Sequence, residues 1–211
     1  MPSRTLLSSG VSFVRSPKGN GDELELIDDR ILLARTARGH GPSAKQLWDL
    51  YAPRLIAYAR TLLAAQGAQD QAEDVVQIAM CKVLQVRRSK LKEIQAVGPW
   101  LYTIVRTTAL NHMRGERRER KRRVHAKVQS SLGPPTTFES IRRAVERLPS
   151  DEAEVVSLRH VGCLTFDQIS VILAIPRSTA ASRHARAIDR LKVYLAELDE
   201  PVHTVEGAKD V

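Results

Sequence analysis

The chain has 211 residues, 43% of them hydrophobic but only 4% aromatic, and its 33 basic and 24 acidic side chains give a formal charge of +9. That length allows one domain or two small ones, and the hydrophobic share excludes a chain that is disordered throughout. Few aromatics favour helices packed through Leu, Ile, Val and Ala over sheet, and the charge makes a polyanion the leading partner class.

In chain order, residues 1–23 mix Ser, Gly and Arg without periodicity and read as a flexible tail. They lack a continuous apolar signal-peptide core, and no later run approaches the ~18 apolar residues needed to cross a bilayer, so a cytoplasmic protein without membrane insertion is expected. From Leu24 apolar residues recur three and four apart. A first helical segment covers "LELIDDRILLARTARG", and a second carries the stripe Leu47, Leu50, Tyr51, Leu55, Tyr58 and Leu62 past Pro53, a candidate kink. In "AQDQAEDVVQIAMCKVLQVRRSK", Val75, Val76, Ala79, Met80 and Val83 fall on one inward face. A loop around "KLKEIQAVGP" precedes a helix from about Trp100, with Leu101, Ile104, Val105 and Thr108 on its core side and Thr103, Arg106, Thr107 and Arg114 on its polar side. This helix runs into "RGERRERKRR", where seven bases against two acids give a net charge of +5.

Residues 124–136 contain Ser, Gly and Pro without periodicity and read as a linker. A second helical unit follows over residues 137–198. Its first helix stops at Leu148-Pro149; its second has acids in the first turn, where the helix dipole favours them, and Gly162 at its end. Thr165 with Gln168 matches a capping box, opening a short helix with Phe166, Ile169, Ile172 and Leu173 inward. After the break at Ile175-Pro176, Ala180, His184, Ala187, Ile188, Leu191 and Leu195 form a packing stripe. The opposite side shows Ser178, Ser182, Ala185, Arg186 and Asp189, with Arg183 and Arg190 at its margin. Small side chains let a backbone approach a groove wall, hydroxyls and N-terminal N–H groups can donate to phosphates, and arginine can donate twice to guanine. The pair of helices is therefore a candidate helix-turn-helix. An ordinary helical hairpin with a solvated face would show a similar pattern.

Cys81 and Cys163 are isolated thiols expected in the core, and fit a reducing compartment. His160 and Cys163 have a metal-like spacing without a second pair, so no metal site is assigned. No phosphate-cradling glycine loop or nucleophile-base arrangement supports an enzyme, and no cofactor is expected.

Taken together, these segments resemble a bacterial RNA polymerase sigma factor of the extracytoplasmic-function group. The stretch from Arg147 to Leu191 is similar to the family's promoter-distal DNA-binding domain at Leu148-Pro149, Gly162, Leu164, Thr179, Ser182 and Arg183. "AEDVVQIAM" resembles the D-x-V-Q-E stretch at Asp74, Val76 and Gln77, while "PWLYTIVRTTALNHMRGERRERKRR" resembles the helix that reads the minus-10 element. The likeness spans residues 24–198. It implies an all-α fold of two small helical domains, residues 24–123 and 137–198, joined by a flexible linker, the second a helix-turn-helix, with a tail at 199–211.

The resemblance implies a non-enzymatic subunit that binds core RNA polymerase and promoter DNA. Asp74 and Gln77 would dock on the clamp helices of the largest polymerase subunit. The loop from Lys90 to Pro99 would hold a base extruded from the minus-10 element, with Trp100 read as core. Asn111, Arg114, Arg117 and Arg118 would contact upstream DNA and phosphates, and Arg177, Ser178, Ser182, Arg183 and Arg186 the minus-35 groove. An anti-sigma protein is a further expected partner. Ile78 stands where the family has Glu, Met80 replaces an aromatic, and Ala181 replaces a frequent base. The alternative is a helix-turn-helix regulator that binds operators without joining polymerase, which would need a symmetric pairing surface.

Overall fold

The computed structural model describes residues 11–15, 24–120 and 137–199. The expected linker of residues 124–136, residues 1–10 and 16–23 of the expected first tail, and the tail beyond Asp199 lie outside these residues.

The first elements correct the sequence reading. Strand β1 (Val11–Arg15) pairs antiparallel with β2 (Leu24–Asp28), Val11 opposite Asp28 and Arg15 opposite Leu24. The first segment was expected to be part of a tail, and the second the start of a helix. Val and Phe in "VSFVR" favour extended backbone, and pairing satisfies the main-chain donors and acceptors that both segments carry. Helix α1 (Asp29–Thr36) therefore begins only after Asp28, whose carboxylate accepts the Arg30 amide at 2.8 Å as an N-cap.

Helix α2 (Gly41–Ala64) is capped by the His40 ring and has Pro42 in its first turn, where a missing N–H costs nothing. Pro53 is exposed and the helix continues through it, with water able to reach the freed carbonyl one turn back. Helices α3 (Ala72–Leu84), α4 (Arg88–Leu91) and α5 (Val97–Arg120) follow. The loop expected from Lys90 to Pro99 is thus shorter: it lies between α4 and α5, with Ile94 and Val97 buried as anchors. Leu47, Leu55, Tyr58, Val75, Val76, Val83, Leu101 and Val105 fill the space between α2, α3 and α5. Trp100 is half-buried against that cluster.

The second half contains α6 (Thr137–Glu146), α7 (Ser150–Val156), a π-type turn at Ser157–Val161, α8 (Phe166–Leu173) and α9 (Arg177–Asp199). Gly162, at the helix end, is not in the left-handed region. Its φ is −74°, while Cys163 takes φ 54°. Glycine is needed for space instead: a Cβ there would lie 2.6 Å from the Leu158 carbonyl and 3.1 Å from the Tyr102 ring.

The two domains pack against each other rather than standing apart. One hydrophobic cluster runs from Leu32 through Ala109 and on to Val155, Leu158, Leu164, Ile169 and Ala180. A smaller cluster of Leu148, Ala153, Val156 and Ala187 joins α7 to α9. Both cysteines, expected as core fillers, are exposed. Cys81 lies off the Val76, Ala79 and Val83 stripe, and Cys163 occupies a turn.

Candidate nucleic-acid interface

The helix-turn-helix is locally well specified. Thr165 Oγ1 accepts the Gln168 amide at 3.2 Å and the Gln168 side chain accepts the Thr165 amide at 2.9 Å, which sets the start of α8. The turn is made by Ala174 at φ 53°, an unfavoured value for a residue with a Cβ, so the packing around it supplies what the backbone loses. Ala180 and Ala187 are fully buried, and the outer side of α9 presents Arg177, Ser178, Ser182, Ala185, Arg186 and Asp189 to solvent. The Ser182 hydroxyl donates to the Thr179 carbonyl at 3.1 Å, leaving its oxygen lone pairs outward.

Arginines on this helix are not all equivalent. Arg177 pairs with Asp167 at 3.2 Å and remains 64% exposed, whereas Arg183 is only 27% exposed and pairs with Asp151 at 3.2 Å. Arg186 and Arg190 both approach Glu152, whose side chain is 5% exposed. Sequence reading took Asp151 and Glu152 as dipole-matching acids in the first turn of α7. The signal it missed was arginine at 183, 186 and 190, spaced along one helical edge that faces them.

At the joint beneath α9, His160 Nε2 and His184 Nε2 are 2.9 Å apart and the ring centres 5.1 Å, so the imidazoles meet tip to tip through an N–H···N bond. The Phe166 ring packs edge-on against His184. Burial, then the neighbouring His160 and Arg159, hold the His184 pKa below its ordinary value. Cys163 Sγ lies near the His160 carbonyl, and among the described residues no group of three or more His, Cys, Asp or Glu could hold a metal ion.

In the N-terminal half, Asp74 and Gln77 are both exposed on one face of α3, one turn apart. Ile78 is 45% exposed beside them. Gln77 also borders a dimple of about 290 Å³ lined by Trp48, Met80, Cys81 and Leu84. On α5, Asn111 and Arg114 are exposed and joined by a 3.3 Å hydrogen bond from Arg114 Nη1 to Asn111 Oδ1. Arg117 and Arg118 belong to the same helix, but their side chains lie outside the described residues.

Arg106, on the polar side of α5, is committed elsewhere. Its Nε donates to Glu154 Oε1 at 2.8 Å, and the same oxygen accepts the Tyr58 hydroxyl at 2.8 Å. Burial and the nearby Glu154 raise the Tyr58 pKa well above its usual value. Beside this bridge a crevice of about 890 Å³ separates Lys90, Trp100, Thr103 and Thr107 from Asp167, Gln168 and Val171 of α8.

Residues 47–119 match the family described as Sigma-70 region 2, and residues 138–191 match Sigma-70, region 4. The chain is 24% identical to the ECF RNA polymerase sigma factor RpoE of Cereibacter sphaeroides, over 80% of this chain and 96% of that protein. It is 29% identical to the ECF RNA polymerase sigma factor EcfG of Rhodopseudomonas palustris, over 75% of this chain and 83% of that protein. The chain belongs to the extracytoplasmic-function group of sigma factors. It is a subunit that directs transcription initiation, and sigma factors are generally not enzymes. The fold agrees: the RpoE structure from Bartonella quintana, in complex with the anti-sigma factor NepR, superposes with a TM-score of 0.59 at 26% identity, covering 74% of this chain and 98% of that one. CnrH, in complex with the cytosolic domain of CnrY, has the same fold at a TM-score of 0.55 and 20% identity, covering 82% of this chain and 99% of that one. Among the described residues of this sigma factor, no helix is long and apolar enough to cross a membrane.

Proposed function

We propose that this sigma factor acts in the cytoplasm by bringing core RNA polymerase to promoters with two elements. Residues 24–123 bind polymerase and the minus-10 element, and residues 137–198 bind the minus-35 element. The exposed Asp74 and Gln77 dock on the clamp helices of the largest subunit, with Ile78 adding apolar contact where a carboxylate is usual. Asn111, Arg114, Arg117 and Arg118 follow the upstream phosphates, while Arg177, Ser178, Ser182, Arg183 and Arg186 enter or border the minus-35 major groove. The observation that carries this reading is the outer face of α9, small, hydroxyl-bearing and basic, presented on a capped helix-turn-helix.

The packed arrangement is a resting state in this reading. Glu154 occupies Arg106, and α8 stands across the crevice from Thr103 and Thr107, so the polar side of α5 opens to DNA when the halves part. A linker of about a dozen residues reaches roughly 40 Å when extended, enough for polymerase to hold two weak DNA sites at a fixed separation so that they act as one. An anti-sigma protein that favours the closed arrangement is the expected regulator; the similar structures solved in complex with NepR and with the cytosolic domain of CnrY support that expectation.

The test is to add the full chain to purified core polymerase and a promoter library. Transcripts that start at a shared two-part sequence, and only with the chain present, are the expected result. Binding of palindromic sites by the chain alone, without such transcripts, would instead make it an operator-binding regulator.

A further inference from the structure

The acids at the start of α7 contact the recognition helix in an unusual way for surface ion pairs. Glu152 is a carboxylate with 5% side-chain exposure, and acidic groups are rarely buried to that degree unless they are paired. Its two oxygens face two arginines of α9: Oε1 lies 3.4 Å from Arg186 Nε and Oε2 3.2 Å from Arg190 Nε. Asp151 stands 3.2 Å from Arg183 Nε in the same register. In each pair the closest approach is through Nε, at the side of the guanidinium. Arg186 nevertheless stays 59% exposed, next to the exposed Ser182 and Ala185. The Arg186 contact is a close ion pair rather than a hydrogen bond, and Glu152 Oε2 is buried without a hydrogen-bond partner, so opposite charge draws the Nε edge of Arg186 to the acid while its other edge stays open.

We infer that Glu152 is a positioning residue for promoter recognition: it holds the Arg186 guanidinium by its Nε edge so that the fork of terminal nitrogens is aimed at a base edge rather than left to sweep the phosphates. The inference rests on the reading of α9 as the minus-35 helix. Arginine reads guanine through two parallel hydrogen bonds, which demand a fixed plane, whereas a phosphate accepts a guanidinium from many directions. The charge of a buried acid behind the arginine biases that plane without itself facing DNA. Glu152 with Arg186 and Arg190 carries a net charge of +1, and neutralising the acid leaves +2. Loss of Glu152 therefore separates two quantities that a purely structural ion pair would move together. Base discrimination falls, while nonspecific attraction to DNA holds or rises.

The test uses the full chain with core polymerase on a promoter library randomised across the upstream element, comparing wild type with Glu152→Gln, Arg186→Ala and the double variant. Nonspecific affinity is followed by salt titration on unrelated duplex. The expected result is that Glu152→Gln lowers discrimination about tenfold at the same base positions as Arg186→Ala, and that the double variant is no worse than Arg186→Ala alone. Nonspecific affinity should be unchanged or stronger, with a steeper salt slope. Should Glu152→Gln fail to fold, Glu152→Asp serves instead: it keeps the charge and withdraws it by one methylene, and should flatten the same positions with no change in salt slope. If Arg186→Ala flattens the profile but the Glu152 variants retain the wild-type one, the positioning role is overturned while α9 keeps its assignment. If Arg186→Ala changes nothing, the minus-35 reading of Arg186 fails and the inference with it.

Discussion

Tyr58 and Glu154, 96 residues apart in sequence, meet through a 2.8 Å hydrogen bond, and Arg106 closes on the same carboxylate oxygen from α5. Three side chains from three helices thus join the domain matching region 2 to the one matching region 4. Glu154 is 13% exposed and Arg106 29%, so the contact is shielded from water and salt far better than a surface pair. Replacing Glu154 by Ala leaves a tyrosine hydroxyl and a guanidinium without their acceptor. The expected outcome is a loss of about 1–3 kcal/mol in the closed packing and a larger radius of gyration in small-angle scattering. An unchanged scattering profile and melting temperature would show that the bridge does not hold the halves.

Tyr102 lies nearby with its ring edge-on to Tyr58, and its buried hydroxyl has no hydrogen-bond partner. An orphaned buried hydroxyl is a cost, which Tyr102→Phe removes without changing the ring. Thermal melting should rise by the equivalent of about 1 kcal/mol. A fall would mean that the hydroxyl is satisfied in solution.

Gly162 gives the complementary case. A Cβ 2.6 Å from the Leu158 carbonyl cannot be absorbed by a rotamer change, because backbone must move. Gly162→Ala should cost about 1–3 kcal/mol. Exchange of buried amides around Leu158 and Leu164 should quicken, since the same contact sets the approach of Tyr102; equal stability would show that the π-turn relaxes freely.

The histidine pair sets a pH dependence. The His184 pKa is depressed, mainly by burial, so the folded state binds fewer protons than the unfolded one as pH falls. Stability from this joint is present above the ordinary histidine pKa of about 6.5 and is lost as acid protonates His184. Melting temperature should fall between pH 7.5 and 5.5, and by less in His184→Gln. Parallel curves for the two proteins would contradict the assignment.

For polymerase docking, Asp74→Ala with Gln77→Ala removes two exposed groups from α3 and should leave the fold and melting temperature intact. Core polymerase should be retained at least tenfold less well in co-purification. Undiminished retention would locate the contact elsewhere on the domain.

Much of the local architecture was legible because it depends on neighbours in sequence. The Thr165–Gln168 capping box, the α9 packing stripe through Ala180 and Ala187, and the α3 core face at Val75, Val76, Ala79 and Val83 all follow from helical spacing. The hairpin of Val11–Arg15 with Leu24–Asp28 was not, because five-residue strands carry too few repeats to separate period two from an irregular tail. Gly162 reads in sequence only as a helix end, yet a Cβ there would crowd the Leu158 carbonyl and also a ring sixty residues earlier, a contact no local pattern encodes. Glu154, Glu152 and Asp151 looked alike as acids opening a helix. Only the fold separates the one that bridges the halves from the two that pair with arginines of α9.

The most direct measurement of the whole account is promoter opening by a chain whose halves can be locked. Thr61 Oγ1 and Ser157 Oγ lie 3.3 Å apart across the junction, so Thr61→Cys with Ser157→Cys, in a background where Cys81 and Cys163 are Ser, can form a reversible bridge. With core polymerase added, the reduced protein should open promoters and the oxidised protein should not, with activity returning on reduction. Equal promoter opening by the oxidised form would contradict the need for the halves to part, and no promoter-specific transcript from the reduced form or from wild type would contradict the sigma-factor mechanism itself.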